Sequence, residues 1–269
     1  MKDLSIEGIY HFIDLYKMTN SIDIEIFDEI DSTNNYLKQP HSIKDKAIKI
    51  IIAKKQTAGR GRYNKQWISE RDAGLWMSVA IDIKKKYNPS ALSLVVGSVL
   101  AKELYQLGAN QIGLKWPNDL IYENRKLGGI LIESMQQEDD LLRIIIGIGL
   151  NIRLPTSMQK MLYPNKNPIG LDSIIKKAVS INMLTANLIK SLYNAVGLYE
   201  EKGLSVFLEE WIKYDLLLGN EVVVENSQKN IQGTASGIST EGALLVSNDE
   251  GMHHIISGSV RYLNREKSI

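Results

Sequence analysis

The sequence predicts an α+β protein: a mixed β-sheet domain with flanking helices, followed by a small all-β domain. Three observations carry this. Strand-like and helix-like runs interleave up to about residue 214. From Gly219 short β-prone stretches follow one another with turn residues and no helix between them. Of the 269 residues 44% are hydrophobic, which is ample for a sizeable core. The boundary is placed at 217/218, giving units 1–217 and 218–269. A tail of about 50 residues is at the low end of what stands alone, so it is expected to pack on the larger unit.

The elements follow in chain order. "DLSIEGIYHFIDLY" spaces Leu4, Ile6, Ile9, Phe12, Ile13 and Tyr16 as one short helix. "IDIEIFDEI" (22–30) alternates and reads as a half-buried strand. "DSTNNYL" (31–37) opens a short helix on the cap-type residues Asp31, Ser32 and Thr33. Residues 47–55 and 74–82 read as strands. Residues 88–108 read as an amphipathic helix, with Pro89 in its first turn and Gly108 as C-cap. "QIGLKW" and "DLIYENRKLGGILIES" read as strand, turn, strand, turning at Glu123–Asn124, and 140–152 as a long strand. Residues 153–171 hold three of the six prolines and read as a surface loop. Helices are expected at about 182–201 and 203–214.

Composition excludes several chemistries. There is no cysteine, hence no disulfide, thiolate metal site or cysteine nucleophile. His11, His41, His253 and His254 lack metal-binding helical spacing. Lys+Arg 32 against Asp+Glu 31 gives no global basic field. The N-terminus carries acids and no apolar signal region, and no run is long enough to span a bilayer. The expectation is a cytoplasmic protein with no membrane partner.

Against that neutral background "QTAGRGRYNKQW" (56–67) is locally cationic, with no acid in twelve residues. Gly59 and Gly61 flank Arg60, so the backbone can approach a ligand closely. Arg60 and Arg62 offer charged forks suited to phosphate or carboxylate. Trp67 offers a face for a base. A solvated basic hairpin or an RNA-contacting arm would also use such residues. In "LKWPNDLIYENRKLGGILIE" (114–133), Pro117 pushes Trp116 toward an extended conformation and displays Lys115, Asn118 and Asp119 at a strand end. Asn118 and Asp119 are oxygen ligands of the kind Mg²⁺ takes together with substrate phosphates. Lys126 follows across the hairpin. Gly128 and Gly129, and Gly147 and Gly149 of "GIGLN", thin out strand interiors and mark close approach of a ligand or backbone. No GxxxxGK[ST] loop exists, so any ATP is bound by another route. Capping explains one or two of Ser32, Thr33 and Asn34; the remainder suits a small polar ligand head such as a urea or amide.

Taken together, the Ser-Thr-Asn entry, the Gln…GRGR loop, KWPND…KxxGIL and the GxGxN strand resemble the biotin protein ligases, strongly over residues 22–152 and more loosely over the β-rich tail. The resemblance implies a class II synthetase-like, biotin–lipoate ligase fold with an SH3-like C-terminal barrel. It implies formation of biotinyl-5′-AMP from biotin and ATP with Mg²⁺, then transfer to a lysine of a biotin carboxyl carrier domain. By the same resemblance Ser32, Thr33, Asn34, Gln56, Arg60, Gly61, Arg62, Lys126 and Gly129 lie on the biotin side. Gly59, Arg60, Arg62, Trp67, Asn118, Lys126 and Asn151 lie on the ATP side. Lys126, Arg62 and Asp119 are the catalytic candidates, and Asp119 is the candidate Mg²⁺ ligand.

On physical grounds Lys126 and Arg62 would neutralise charge developing on the phosphorus, and the basic loop would act as a lid over a hydrolysable acyl adenylate. The family loop commonly continues GRGRxGRxW. Here Asn64 replaces glycine, which Asn's tolerance of left-handed backbone accommodates, and Lys65 keeps the charge but not the fork. Only about 20 residues precede the first strand, so a ligase without DNA binding is expected. Family members often form homodimers through sheet edges. The alternatives are a lipoate–protein ligase, whose RRxSGGG loop is absent, and a non-catalytic biotin sensor.

Overall fold

β-branched runs in this chain alternate cleanly enough to build one large sheet with two different faces. The computed structural model describes residues 3–18, 22–39, 48–84, 88–137, 140–154, 168–225 and 230–263. Seven strands, β1 (Ile22–Phe27), β2 (Ile48–Ala53), β3 (Gly74–Lys84), β4 (Ile112–Lys115), β5 (Asp119–Tyr122), β6 (Arg125–Gln136) and β7 (Leu141–Asn151), lie in the order β1-β2-β3-β7-β6-β5-β4. The β1–β2 pair is parallel and every other neighbour is antiparallel, so the sheet is mixed as expected. Its centre is the full-length β3–β7 ladder, from Gly74 opposite Asn151 to Lys84 opposite Leu141.

Alternation along those strands divides the faces. Ile50, Ile52, Met77, Val79, Ile146, Ile148 and Leu150 join one core with the helices. Their neighbours Ile51, Ala80 and Ile145 pack on Leu37 of the opposite face, and Trp76 packs with Trp67 further along. Between those two small apolar groups this second face carries Ser78, Gly147, Gly149 and Asn151 instead of large apolar residues. That gap is where the cavity lies.

The helices are α1 (Ile6–Asp14, capped by Ser5), α2 (Thr33–Leu37, capped by Ser32), α3 (Leu92–Gln106), α4 (Leu171–Ile174), α5 (Ile181–Lys202) and α6 (Leu208–Tyr214). The α3 helix departs from its expected amphipathic character. Ten of its fifteen residues are buried, because it lies between the sheet and both α5 and α6, leaving no room for a polar stripe. Pro89 opens a 3-10 turn capped by Asn88, and Gly108 closes the segment at φ +109°. The β1 strand ends three residues earlier than expected, where Asp28 and Glu29 turn out to pair with Lys54 and Lys55. Most of the loop expected at 153–171 lies outside the described residues, as does His41, and α4, which starts at the loop's last residue, was not anticipated.

The tail forms a five-stranded antiparallel sheet of the SH3-like kind, ordered β11-β10-β9-β8-β12 from β8 (Glu221–Glu225), β9 (Asn230–Ile238), β10 (Leu244–Asn248), β11 (Gly251–Ile255) and β12 (Ser259–Tyr262). It packs on the larger unit. Trp116 Nε1 donates to Gly242 O at 3.1 Å, Tyr262 Oη to Leu216 O at 2.8 Å, and Val222, Val224, Leu244 and Val246 belong to the main core.

Candidate active site

A cavity of about 230 Å³ opens on the polar face of the sheet and is closed on one side by Gly258, Ser259 and Val260 of the small domain. Its lining includes the last side-chain positions along β7. Gly147, Gly149 and Asn151 point the same way, two residues apart, so the floor runs about 13 Å. A Cβ on Gly147 would stand 2.4 Å from Asn34 Oδ1, and one on Gly149 2.6 Å from Trp67 Cε2. The close approach expected at the strand glycines is made by the protein's own side chains at Gly129, Gly147 and Gly149, and by the backbone oxygen of Gly149 at Gly128. Asn34 lies over Gly147 and Trp67 lies across Gly149 and Gly129, and together they form the cavity floor.

The first end is a hydrogen-bonded polar cluster. Gln56 Oε1 accepts from Thr33 N at 2.9 Å and Thr33 Oγ1 at 3.1 Å, while its amide donates to Ser69 Oγ at 2.7 Å. Ser78 Oγ lies 2.6 Å from Thr33 Oγ1 and 2.5 Å from Asn34 Oδ1. Asn34 Nδ2 donates to Glu133 at 2.8 Å, as do Lys38 at 2.6 Å and Arg60 at 3.2 Å. Burial pushes the Glu133 carboxyl up, but the bonds from Lys38 and Asn34 and the charges of Lys38 and Arg60 outweigh it and hold it below its ordinary value. Ser78 and Glu133 belong to this cluster and were not among the residues singled out from the sequence. Their signal was a serine and an acid inside otherwise apolar strands.

At the second end Lys126 Nζ sits 2.5 Å from Asp119 Oδ1 and 5.2 Å from the Trp67 ring centroid. Asn118 donates to Ile130 O at 2.7 Å, and Asn151 Nδ2 to Lys126 O at 3.3 Å. The Asn151 Oδ1 and Trp67 Nε1 atoms are buried and have no protein partner among the described residues. Two such orphans in the lining of one cavity fit a ligand that brings its own donor and acceptor, as a nucleobase does.

The basic loop folds over this end. Gly59 takes the chain within reach of Trp67, whose backbone N–H donates to Gly59 O at 2.9 Å, and a Cβ there would strike Trp67 O at 2.5 Å. Tyr63 and Asn64 both adopt φ 55°, as the Asn-for-Gly reading required of Asn64. Arg62 Nη1 donates to Gly258 O at 3.3 Å and stacks 4.8 Å over Tyr63. Arg60 is turned to Glu133 and Asn35, so of the two loop arginines Arg62 reaches the small domain. All the sequence-derived candidates except Gly59 line the cavity.

Residues 26–151 match the biotin/lipoate A/B protein ligase family, which fixes the class, and residues 217–261 match the biotin protein ligase C-terminal domain. The chain is 34% identical over 257 residues to the bifunctional ligase/repressor BirA of Salmonella typhimurium, covering 94% of this chain and 78% of that protein. It is 23% identical to the biotin–[acetyl-CoA-carboxylase] ligase of Paracoccus denitrificans, over 78% and 88% of the two chains. The biotin protein ligase from Aquifex aeolicus in complex with biotin and ATP superposes with a TM-score of 0.75 at 27% identity, over 89% of this chain and 99% of that one. The chain belongs to the biotin protein ligase family.

Proposed function

We propose that this cavity joins biotin to ATP as biotinyl-5′-AMP and passes the biotinyl group to one lysine of a biotin carboxyl carrier domain of acetyl-CoA carboxylase. The observation that carries it is Lys126. Its ammonium lines the cavity at the second end, 5.2 Å from the Trp67 ring centroid, where it would face a carboxylate brought up to an α-phosphate. Two anions repel, so a fixed cation between them favours their approach and the pentacoordinate phosphorus that follows.

Ser32, Thr33 and Gln56 would hold the biotin head, with Asn34 and Gly129 shaping its floor. Trp67 and Asn151 would hold the adenine, with Asn118 near the phosphates. Gly59, Arg60, Gly61 and Arg62 belong to the lid, in which Arg62 ties the loop to the small domain and excludes water from the mixed anhydride. The carrier lysine then attacks the acyl carbon and AMP leaves. Asp119 is the single carboxylate among the lining residues, and among the described residues no cluster of three acidic or histidine side chains could hold a metal. A Mg²⁺ would thus be held by Asp119 together with ATP phosphates, and would supply charge neutralisation there. The division at 217/218 is part of the same reading, supported by the start of β8 at Glu221. Among the described residues no helix is long and apolar enough to cross a membrane.

The test is transfer of biotin, with ATP, to a purified biotin carrier domain, with lipoate and a lipoyl domain in parallel. Biotin-only transfer is expected. Lipoate transfer would move the assignment to the sister activity, and tight biotin binding without transfer would make the chain a sensor.

A further inference from the structure

Ser78 is fully buried at the centre of the polar cluster, 2.5 Å from Asn34 Oδ1 and 2.6 Å from Thr33 Oγ1. A hydroxyl carries one proton, and the direction of that proton is settled further along the chain of bonds. Glu133 receives Asn34 Nδ2, Lys38 Nζ and Arg60 Nη2. A carboxylate between two cations only accepts. The Asn34 amide therefore turns its NH₂ to Glu133 and its carbonyl to Ser78. Ser78 gives its proton to Asn34 and is left to accept from Thr33. Thr33 directs its own proton inward to Ser78, whose 2.6 Å contact requires it, while Gln56 Oε1 at 3.1 Å already accepts the Thr33 N–H. Thr33 Oγ1 therefore meets the cavity with lone pairs. Ser32 is wired oppositely. Its oxygen accepts the Asn35 N–H of the α2 cap at 3.4 Å, which leaves its proton free to donate.

We infer that Glu133, which lies outside the cavity lining, is a positioning residue that fixes the hydrogen-bond polarity of the ligand-head end, with Thr33 as acceptor and Ser32 as donor. The matching group is an N–H next to a carbonyl, as in a cyclic urea. A dithiolane ring offers neither. The inference rests on the biotin reading and adds to it the residue that makes the site demand a ureido N–H.

The experiment measures KM for biotin, KM for ATP and kcat of adenylate formation in the full chain, with biotin Kd by calorimetry. The variants are Glu133→Gln, Ser78→Ala and the pair Asn34→Asp with Glu133→Gln. A glutamine at 133 can present NH₂ to Asn34 and flip it. Biotin KM and Kd should rise about ten- to a hundredfold, while ATP KM and kcat stay near wild type. Ser78→Ala cuts the same relay without touching a charge and should act alike. In the pair, the amide introduced at position 133 meets the carboxylate introduced at position 34, whose other oxygen still accepts from Ser78. Biotin KM should return to within about threefold of wild type. Unchanged biotin KM in both single variants, with wild type active, overturns the inference and spares the biotin reading. A pair no better than Glu133→Gln also overturns it, by placing the effect on lost charge beside Arg60 and Lys38. A wild-type chain that neither binds nor adenylates biotin removes both.

Discussion

Lys126 and Asp119 face each other across the β5–β6 hairpin, Nζ to Oδ1 2.5 Å, with the ammonium over the ring of Trp67. Both side chains are about a third exposed, so the pair adds on the order of 0–1 kcal/mol to stability. Its role is to park a cation at the second end of the cavity, beside the Trp67 floor. Lys126→Ala should therefore fold as wild type, with an unchanged melting temperature. The rate of biotinyl-AMP formation should drop by about 10²- to 10³-fold, the usual cost of losing one preorganised charge at a reacting centre. A near-normal single-turnover rate would overturn the assignment of Lys126.

Arg62 is the loop's link to the small domain through Gly258 O. Cutting that link opens the lid while leaving Lys126 and the floor in place. Arg62→Ala should leak the acyl adenylate and biotinylate lysines of a bystander protein such as serum albumin. A streptavidin blot that still shows the carrier domain alone as target would count against the lid.

Much of this was legible from the chain. The strict β alternation, the Glu123–Asn124 turn and the glycine-bearing motifs marked the sheet and its cavity. They did so because half-buried strands and left-handed turns leave residue-level traces. The turn residues Glu123 and Asn124 indeed take φ 47° and 63°. The wiring of the site was not legible. That Trp67 covers Gly149 and Gly129, or that Asn34 covers Gly147, depends on the β6–β7 register and on where the loop lands. Glu133 meets Asn34 across 99 positions of sequence. The α3 helix was misjudged because its burial is set by three neighbours that no window of its own sequence contains.

The floor glycines give a prediction that separates the two ends. A methyl at Gly149 would stand 2.6 Å from Trp67 and one at Gly147 2.4 Å from Asn34. Overpacking of this kind costs about 1–3 kcal/mol. Gly149→Ala should tilt Trp67 out of the floor, raise KM for ATP more than for biotin, and change tryptophan emission. Gly147→Ala should do the reverse, raising KM for biotin. Equal effects of the two variants on both substrates would mean that the cavity has no such polarity along β7.

The last prediction concerns acid. Burial opposes ionisation of Glu133, but Lys38, Asn34 and Arg60 outweigh it and depress its pKa in the folded state. A depressed carboxyl binds fewer protons folded than unfolded. Its stabilisation is thus fully present above the unfolded value of about 4.3, and fades as pH falls through the folded value. Glu133→Gln has no such titration. The gap in unfolding free energy between wild type and Glu133→Gln, from urea melts at a series of pH values, should be constant near neutrality and close as the acid range is entered. Asp215 behaves oppositely. Burial raises its pKa despite bonds from the Leu217 N–H and Trp211, so its contribution is lost as pH rises. Asp215→Asn should gain on wild type toward neutral pH. A wild-type-to-Glu133→Gln gap that persists undiminished into acid would show that shape at position 133, and not the carboxylate charge, holds α2 and Arg60 to the sheet.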